Sequence, residues 1–238
     1  MQRSWALLLG LLRGVELVGS SQPLDLVELG ASAGLNLLLD RFRYRYGDVP
    51  WGPQDAELEL TGDARGGPPP SMLRLGVNVR RRIGIDRAPV DVRSEQGTLL
   101  LEAFAWADQS ERLERLRRAL DIGRRDPPRL VRGDYVELMP GLLEEHDSGA
   151  DLVVLSSAST VYLAADSFSR LRRAIERAGE RGRLAWVSLE GVGGGPMSWE
   201  EFHRFGGHAL EVQVWPGGER RLLARVDGHG EWLEWLES

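Results

Sequence analysis

Apolar runs and amphipathic stretches alternate along the whole 238-residue chain. Leu8, Leu11, Leu12, Val15 and Val18 recur at helical spacing and predict an N-terminal helix within residues 1–22, laid over a sheet. The stretch from Trp5 to Leu12 is nearly all apolar, loosely like a signal peptide. Arg13 and Glu16 interrupt it, and it is too short to span a membrane. Residues 24–29 read as a buried strand and 34–41 as a helix. Residues 42–79 read as an insertion. Phe42, Tyr44 and Tyr46 alternate there with Arg41, Arg43 and Arg45, and Ala56, Leu58 and Leu60 alternate with Glu57 and Glu59. Period two on both sides of a turn predicts a hairpin or small antiparallel flap. The run Gly66-Gly67-Pro68-Pro69-Pro70 closes it as a loop.

Beyond the insertion the pattern continues as α/β. Strands are expected at 82–86, 129–134, 151–155 and 183–190, with helices at 108–121 and 166–179. A final hairpin, 209–214 with 220–226, turns around Pro216-Gly217-Gly218. The glycine-rich segment 191–196 is expected to be a mobile lid over the carboxyl edge of the sheet. The whole is read as one domain, 1–238.

Composition narrows the chemistry. Hydrophobic content of 42% suits a substantial core. The chain has no Cys, which removes disulfides, thiolate metal sites and cysteine nucleophiles together. All 30 basic residues are Arg, so neither a Schiff-base lysine nor a Walker-type phosphate loop is available. A net charge of -6 gives no general attraction to nucleic acid. The Arg–aromatic alternation at 41–46 reads either as a stacking platform for single strands or, more simply, as an amphipathic strand with solvated arginines. The histidines and carboxylates lack metal-ligand spacing such as H-E-x-x-H. The expected setting is cytoplasmic, with a small-molecule substrate and neither nucleic acid nor membrane as partner.

The segment most informative about chemistry is Glu28-Leu-Gly-Ala-Ser-Ala-Gly-Leu-Asn36, where a strand passes through small residues into a helix. Small residues allow close approach to the backbone, and a helix N-terminus offers N–H groups and partial positive charge. The alternative is a plain strand–turn–helix whose glycines serve only the turn. A dinucleotide site needs G-x-G-x-x-G, and here Ser32 and Leu35 occupy its second and third glycine positions. The segment instead resembles motif I of the class I S-adenosylmethionine-dependent methyltransferases, with Glu28, Gly30 and Gly34 matching and Ser32 in place of the middle glycine. That resemblance implies a three-layer α/β sandwich with a mostly parallel seven-stranded sheet. The final hairpin would supply its sixth and seventh strands, the last antiparallel. It implies S-adenosylmethionine held by Glu28, Gly30, Ala31, Ser32, Gly34 and Asn36, with Ser157 nearby. Asp86 would accept from the ribose hydroxyls and Asp134 would meet the adenine. Asp134 reads equally well as the cap of the next helix.

Catalytic candidates at the carboxyl edge are Glu190, Ser156 and Tyr162. Glu190, at a strand tip before the glycine segment, is either a desolvated base or a loop cap that accepts backbone N–H bonds. The D/N-P-P-Y/F signature of amino-methylating enzymes is missing after the fourth strand. By this topology His146, His208 and His229 fall toward the opposite edge and His203 within a helix. A structural role for His229, packed with Trp232 and Trp235, is preferred to catalysis.

Four motifs occur together in order: Glu28 to Asn36, Gly84-Ile-Asp86 with Pro89 and Asp91, Trp106-Ala-Asp-Gln109 with Arg112, and His229-Gly230 with Trp232 and Trp235. Over residues 5–238 the chain resembles the bacterial domain-of-unknown-function 2332 family. The resemblance implies a further, largely helical N-terminal region in typical members, so a short or truncated member is expected. It also implies a His where this chain has Ser156, in a run that otherwise persists as Ser157-Ala158 before Tyr162. The expected function is binding of S-adenosylmethionine and methyl transfer to a small molecule. The alternative is a non-catalytic ligand-binding domain with a decayed site, and a nicotinamide-dependent oxidoreductase comes third.

Overall fold

The computed structural model describes residues 1–103, 110–147 and 149–237. Its centre is a nine-stranded sheet in the order β5-β12-β11-β10-β9-β8-β1-β6-β7. Strands β1 (Leu24–Leu29), β6 (Val79–Asp86), β7 (Arg129–Arg132), β8 (Asp151–Ser157) and β9 (Leu184–Glu190) are mutually parallel. The sheet thus has nine strands rather than seven. The extra two are β12 (Trp232–Trp235) and β5 (Asp63–Arg65), the latter lent by the insertion.

The final hairpin also departs from expectation. It is β10 (His208–Trp215), the earlier of its strands, that pairs antiparallel with β9, and β11 (Glu219–Val226) then runs back beside it. The start of β10 and the exit from β11 therefore both lie at the carboxyl edge of the parallel strands, where Ala209 pairs with Glu190.

Two apolar cores flank the sheet. Helices α4 (Tyr135–Glu144) and α5 (Ala165–Gly179) cover one face, on Val27, Leu29, Val154 and Trp186. The other face carries α1 (Ser4–Val18), a 3-10 helix Leu35–Arg41 where an α-helix was expected, and α3 (Ser110–Arg125). Helix α2 (Glu95–Ala103) precedes α3 and went unrecognised in the sequence.

α1 is buried on both sides. Its glycines let it lie directly on the sheet, since a Cβ on Gly10 would come within 2.4 Å of Val187 Cγ1 and one on Gly14 within 2.9 Å of Ala185 Cβ. Its far side is covered by the insertion, a small sheet of β2 (Arg43–Tyr46), β3 (Val49–Trp51) and β4 (Glu59–Thr61). That sheet is mixed rather than purely antiparallel, because β4 pairs parallel with β2. Phe42, Tyr44 and Tyr46 point inward; Tyr46 stacks on Trp5 with ring centroids 5.2 Å apart, and Tyr44 Oη donates to Ser4 Oγ at 3.2 Å. Arg43 and Arg45 face outward onto Glu59. The amphipathic-strand reading of the Arg–aromatic pattern holds. Among the described residues no helix is long and apolar enough to cross a membrane.

Gly10→Ala tests the α1 contact. Helix propensity favours Ala by up to about 1 kcal/mol, whereas forcing a methyl into a packed core costs about 1–3 kcal/mol. We expect a net loss in urea denaturation, and a gain in stability would show that the helix has room to lift.

Candidate functional site

A cavity of about 420 Å³ opens at the carboxyl ends of β1 and β8, within the size range of small-ligand sites. In the order β7-β6-β1-β8-β9 the chain winds outward in both directions from β1 and β8, so their tips mark the switch point where α/β sheets place ligands. The turn after β1 forms one wall. Gly30, Ser32 and Gly34 all have positive φ, at 71°, 52° and 69°. Ser32 thus sits in a conformation glycine adopts freely and serine seldom does, as expected where the resembling motif carries its middle glycine. A Cβ on Gly30 would lie 2.7 Å from Ser159 Cβ, and one on Gly34 would lie 2.6 Å from Pro128 Cγ. These glycines are required by the turn and by packing within the protein.

The cavity lining holds polar atoms that the fold leaves unpaired. Glu28 and Ser157 share the face of the sheet turned toward α1, since Leu26 and Glu28 alternate with Val27, and Leu155 and Ser157 with Val154. Asn36 Nδ2 donates to Glu28 Oε1 at 2.7 Å. Glu28 Oε2, Asn36 Oδ1 and Ser157 Oγ are buried without a hydrogen-bond partner among the described residues, and all three side chains line the cavity. Orphaned buried polar atoms are rare because each forfeits hydration, so three on one lining point to a polar ligand. Burial pushes the Glu28 carboxyl up to about 7, helped by the nearby Asp86 charge and opposed by the Asn36 hydrogen bond and by Arg3.

Other expected site residues are committed elsewhere. Asp86 accepts from Ser32 N at 2.7 Å and from Ala88 N at 2.8 Å, joining the β1 turn to the tip of β6. Asp134 caps α4 by accepting from Val136 N and pairs with Arg87 at 2.7 Å, so its helix-cap reading describes it. Neither carboxylate lines the cavity. Ser156 points to the opposite face, where its hydroxyl accepts from Trp186 Nε1 at 3.2 Å. Tyr162 is 81% exposed and lies outside the lining. Glu190 is fully buried and accepts from the backbone N–H groups of Ser159, Thr160 and Val161 and from Ser159 Oγ. Burial raises its pKa against those bonds, and its loop-cap reading describes its geometry. The glycine-rich segment is tethered: Thr160 Oγ1 donates to Gly194 O at 2.8 Å, and Gly193 N donates to Glu211 at 2.9 Å.

The antiparallel β10 brings in residues that sequence reasoning put on the wrong edge. His208 opens β10 beside the end of β9, and burial and then Arg3 hold its imidazole pKa below the usual value. His229 lines the cavity in the loop after β11, which Asp227 shapes by accepting from the N–H groups of His229 and Trp232. The guanidinium groups of Arg65 and Arg225 lie over the Trp232 ring. Gly230 (φ 79°) lets this loop press on the start of α1, since a Cβ there would lie 3.0 Å from Arg3 Cα. The sequence signal for this arrangement is the His229-Gly230 pair with Trp232 and Trp235. Among the described residues no group of three or more His, Asp or Glu is placed to hold a metal ion. The Trp106–Gln109 motif lies outside the described residues.

The Glu28 environment has a measurable consequence. Its folded pKa of about 7 lies above the ordinary 4.5, so the folded state holds this proton more tightly than the unfolded chain. The resulting stabilisation is fully present below the unfolded value and is lost as pH rises through about 7. The loss at high pH amounts to about 3 kcal/mol. Glu28→Gln, which keeps the Asn36 hydrogen bond, is expected to be more stable than the parent at pH 8.5, with an advantage that shrinks toward pH 4. Denaturant titrations at both pH values test this, and an advantage independent of pH would show that Glu28 does not titrate in this range.

A search of the curated proteins finds no match to the chain. A family model described as "Uncharacterized protein conserved in bacteria (DUF2332)" matches residues 1–235, which takes in the β1 turn, the cavity and the loop after β11. The chain therefore belongs to the DUF2332 family.

Proposed function

We propose that the chain binds S-adenosylmethionine in this cavity and transfers its methyl group to a small molecule. The observation that carries the reading is the convergence of Glu28, Asn36 and Ser157, with unpaired acceptors, at the switch point of a parallel sheet. Their chemistry fits the ammonium end of the cofactor: a carboxylate, an amide oxygen and a hydroxyl in a desolvated pocket. Asp86 and Asp134 lie outside the cavity lining, so this reading gives them no nucleoside contact. Asp86 acts instead by holding the turn of Ala31 and Ser32, which lines the cavity.

The cofactor, when bound, supplies an electrophilic methyl on a sulfonium. Transfer of that methyl depends mainly on holding the acceptor in line with it, so a strong protein base is not required. Glu28, with a pKa of about 7, is a lining group able to exchange a proton near neutrality. A second reading, binding without turnover, draws support from the positions of Glu190, Ser156 and Tyr162, none of which lines the cavity.

Calorimetric titration of S-adenosylmethionine and S-adenosylhomocysteine into the chain tests the proposal. We expect both to bind, and Ser157→Ala to weaken binding roughly tenfold, the worth of one buried hydrogen bond. Heat with NAD and none with either sulfur compound would overturn the reading. Binding with no turnover across an acceptor screen would select the second.

A further inference from the structure

On a chain of net charge -6, one part of the cavity lining carries three arginines. Arg3 stands at the start of α1, and Arg112 and Arg115 lie near the start of α3. Many arginines elsewhere in the fold are held by carboxylates, as Arg82 is by Asp40 at 2.6 Å and Arg220 by Glu211 at 2.7 Å. Two of the cavity arginines differ. Arg3 is partly buried, donates from Nε to Gly228 O at 3.0 Å, and makes no ion pair among the described residues. It also caps a 15-residue helix with no acidic residue in its first turn, where the helix dipole disfavours a cation. Arg115 has a buried Nε without a partner among the described residues. Its nearest carboxylate, Glu111, is 3.9 Å away and 89% exposed.

Such positions are costly for a guanidinium. Burial removes hydration, the helix terminus repels it, and Arg112 adds a like charge that acts on Arg3, while Glu190, Tyr162 and Asp227 act in the other direction. A bound anion would offset all three costs, and the planar guanidinium fork suits a carboxylate or a phosphate. We propose that Arg3, Arg112 and Arg115 form an anion subsite that takes the carboxylate or phosphate group of a small molecule. Its role as the site of the methyl acceptor rests on the proposed function, whereas the subsite itself does not. Glu28 repels an anion from the β1 side of the same cavity. The acceptor's charged group is thereby directed to the arginines, which leaves Glu28, Asn36 and Ser157 to the ammonium end of the cofactor.

The test titrates the full chain with inorganic phosphate and, separately, malonate, at ionic strength held constant with sodium chloride. Each is run with and without saturating S-adenosylhomocysteine, with thermal shift and calorimetry as readouts. We expect saturable stabilisation by at least one anion, undiminished by S-adenosylhomocysteine, and the tighter anion names the group recognised. Arg115→Gln should weaken anion binding at least about tenfold, the loss expected for one charge-assisted contact, while S-adenosylhomocysteine still binds. Arg112→Gln serves if that variant does not fold. Competition between anion and S-adenosylhomocysteine would assign the arginines to the cofactor's own carboxylate and overturn the acceptor role. Cofactor binding without anion binding would overturn the subsite alone. Anion binding without cofactor binding would keep the subsite and remove methyl transfer.

Discussion

A helix whose first turns are apolar all round must be covered all round there, and much of this fold follows from covering Ser4 to Leu12 of α1. The nine-stranded sheet takes one side through Gly10 and Gly14, and the insertion takes the other through Tyr44, Tyr46 and Trp51. Trp5 ties the two together by stacking on Tyr46 and donating from Nε1 to Arg45 O. Burying a side chain of this size is worth about 1.5–3 kcal/mol, and α1 buries Trp5 and five leucines completely. With the helix so fixed, its first residues have one place to be. Arg3 and Gln2 are pinned at the carboxyl edge by Gly228 and Gly230.

The parts of the fold written in local pattern were legible. The five parallel strands, α1, α5 and the final hairpin each carry a run or a periodicity that survives folding nearly residue for residue. What was not legible depended on contacts distant in sequence. The choice of which hairpin strand lies beside β9 is made by pairing with a strand outside the hairpin. That choice moved His208 and His229 from one edge of the sheet to the other. Strand β5 has only three residues and gains its identity from β12, far along the chain.

The candidate site was legible in the same uneven way. Most of the turn from Glu28 to Asn36 lines the cavity, its glycines serve the turn and internal packing, and Ser32 takes a left-handed conformation. Carboxylates at strand tips were harder to read, because a strand tip offers a carboxylate two occupations. It can face a ligand, or it can accept the backbone N–H groups that every loop leaves over. Asp86, Asp134 and Glu190 all took the second. Glu28 differs because β1 lies in the middle of the five parallel strands and its side chain points toward α1. Among the described residues only Asn36 reaches its Oε1, and no loop amide closes over its Oε2.

The bond from Ser32 N to Asp86 is one of several between the β1 turn and the segment at the tip of β6. Val90 N donates to Ser32 O, and Gly30 N and Ala31 N both donate to Ile85 O. A turn held this closely has already surrendered its conformational freedom when the chain folds. A ligand arriving at it spends none of its binding free energy on ordering backbone. Recognition at this wall is therefore rigid, and chemical variation in the ligand is felt mainly in how long it stays rather than in how fast it enters.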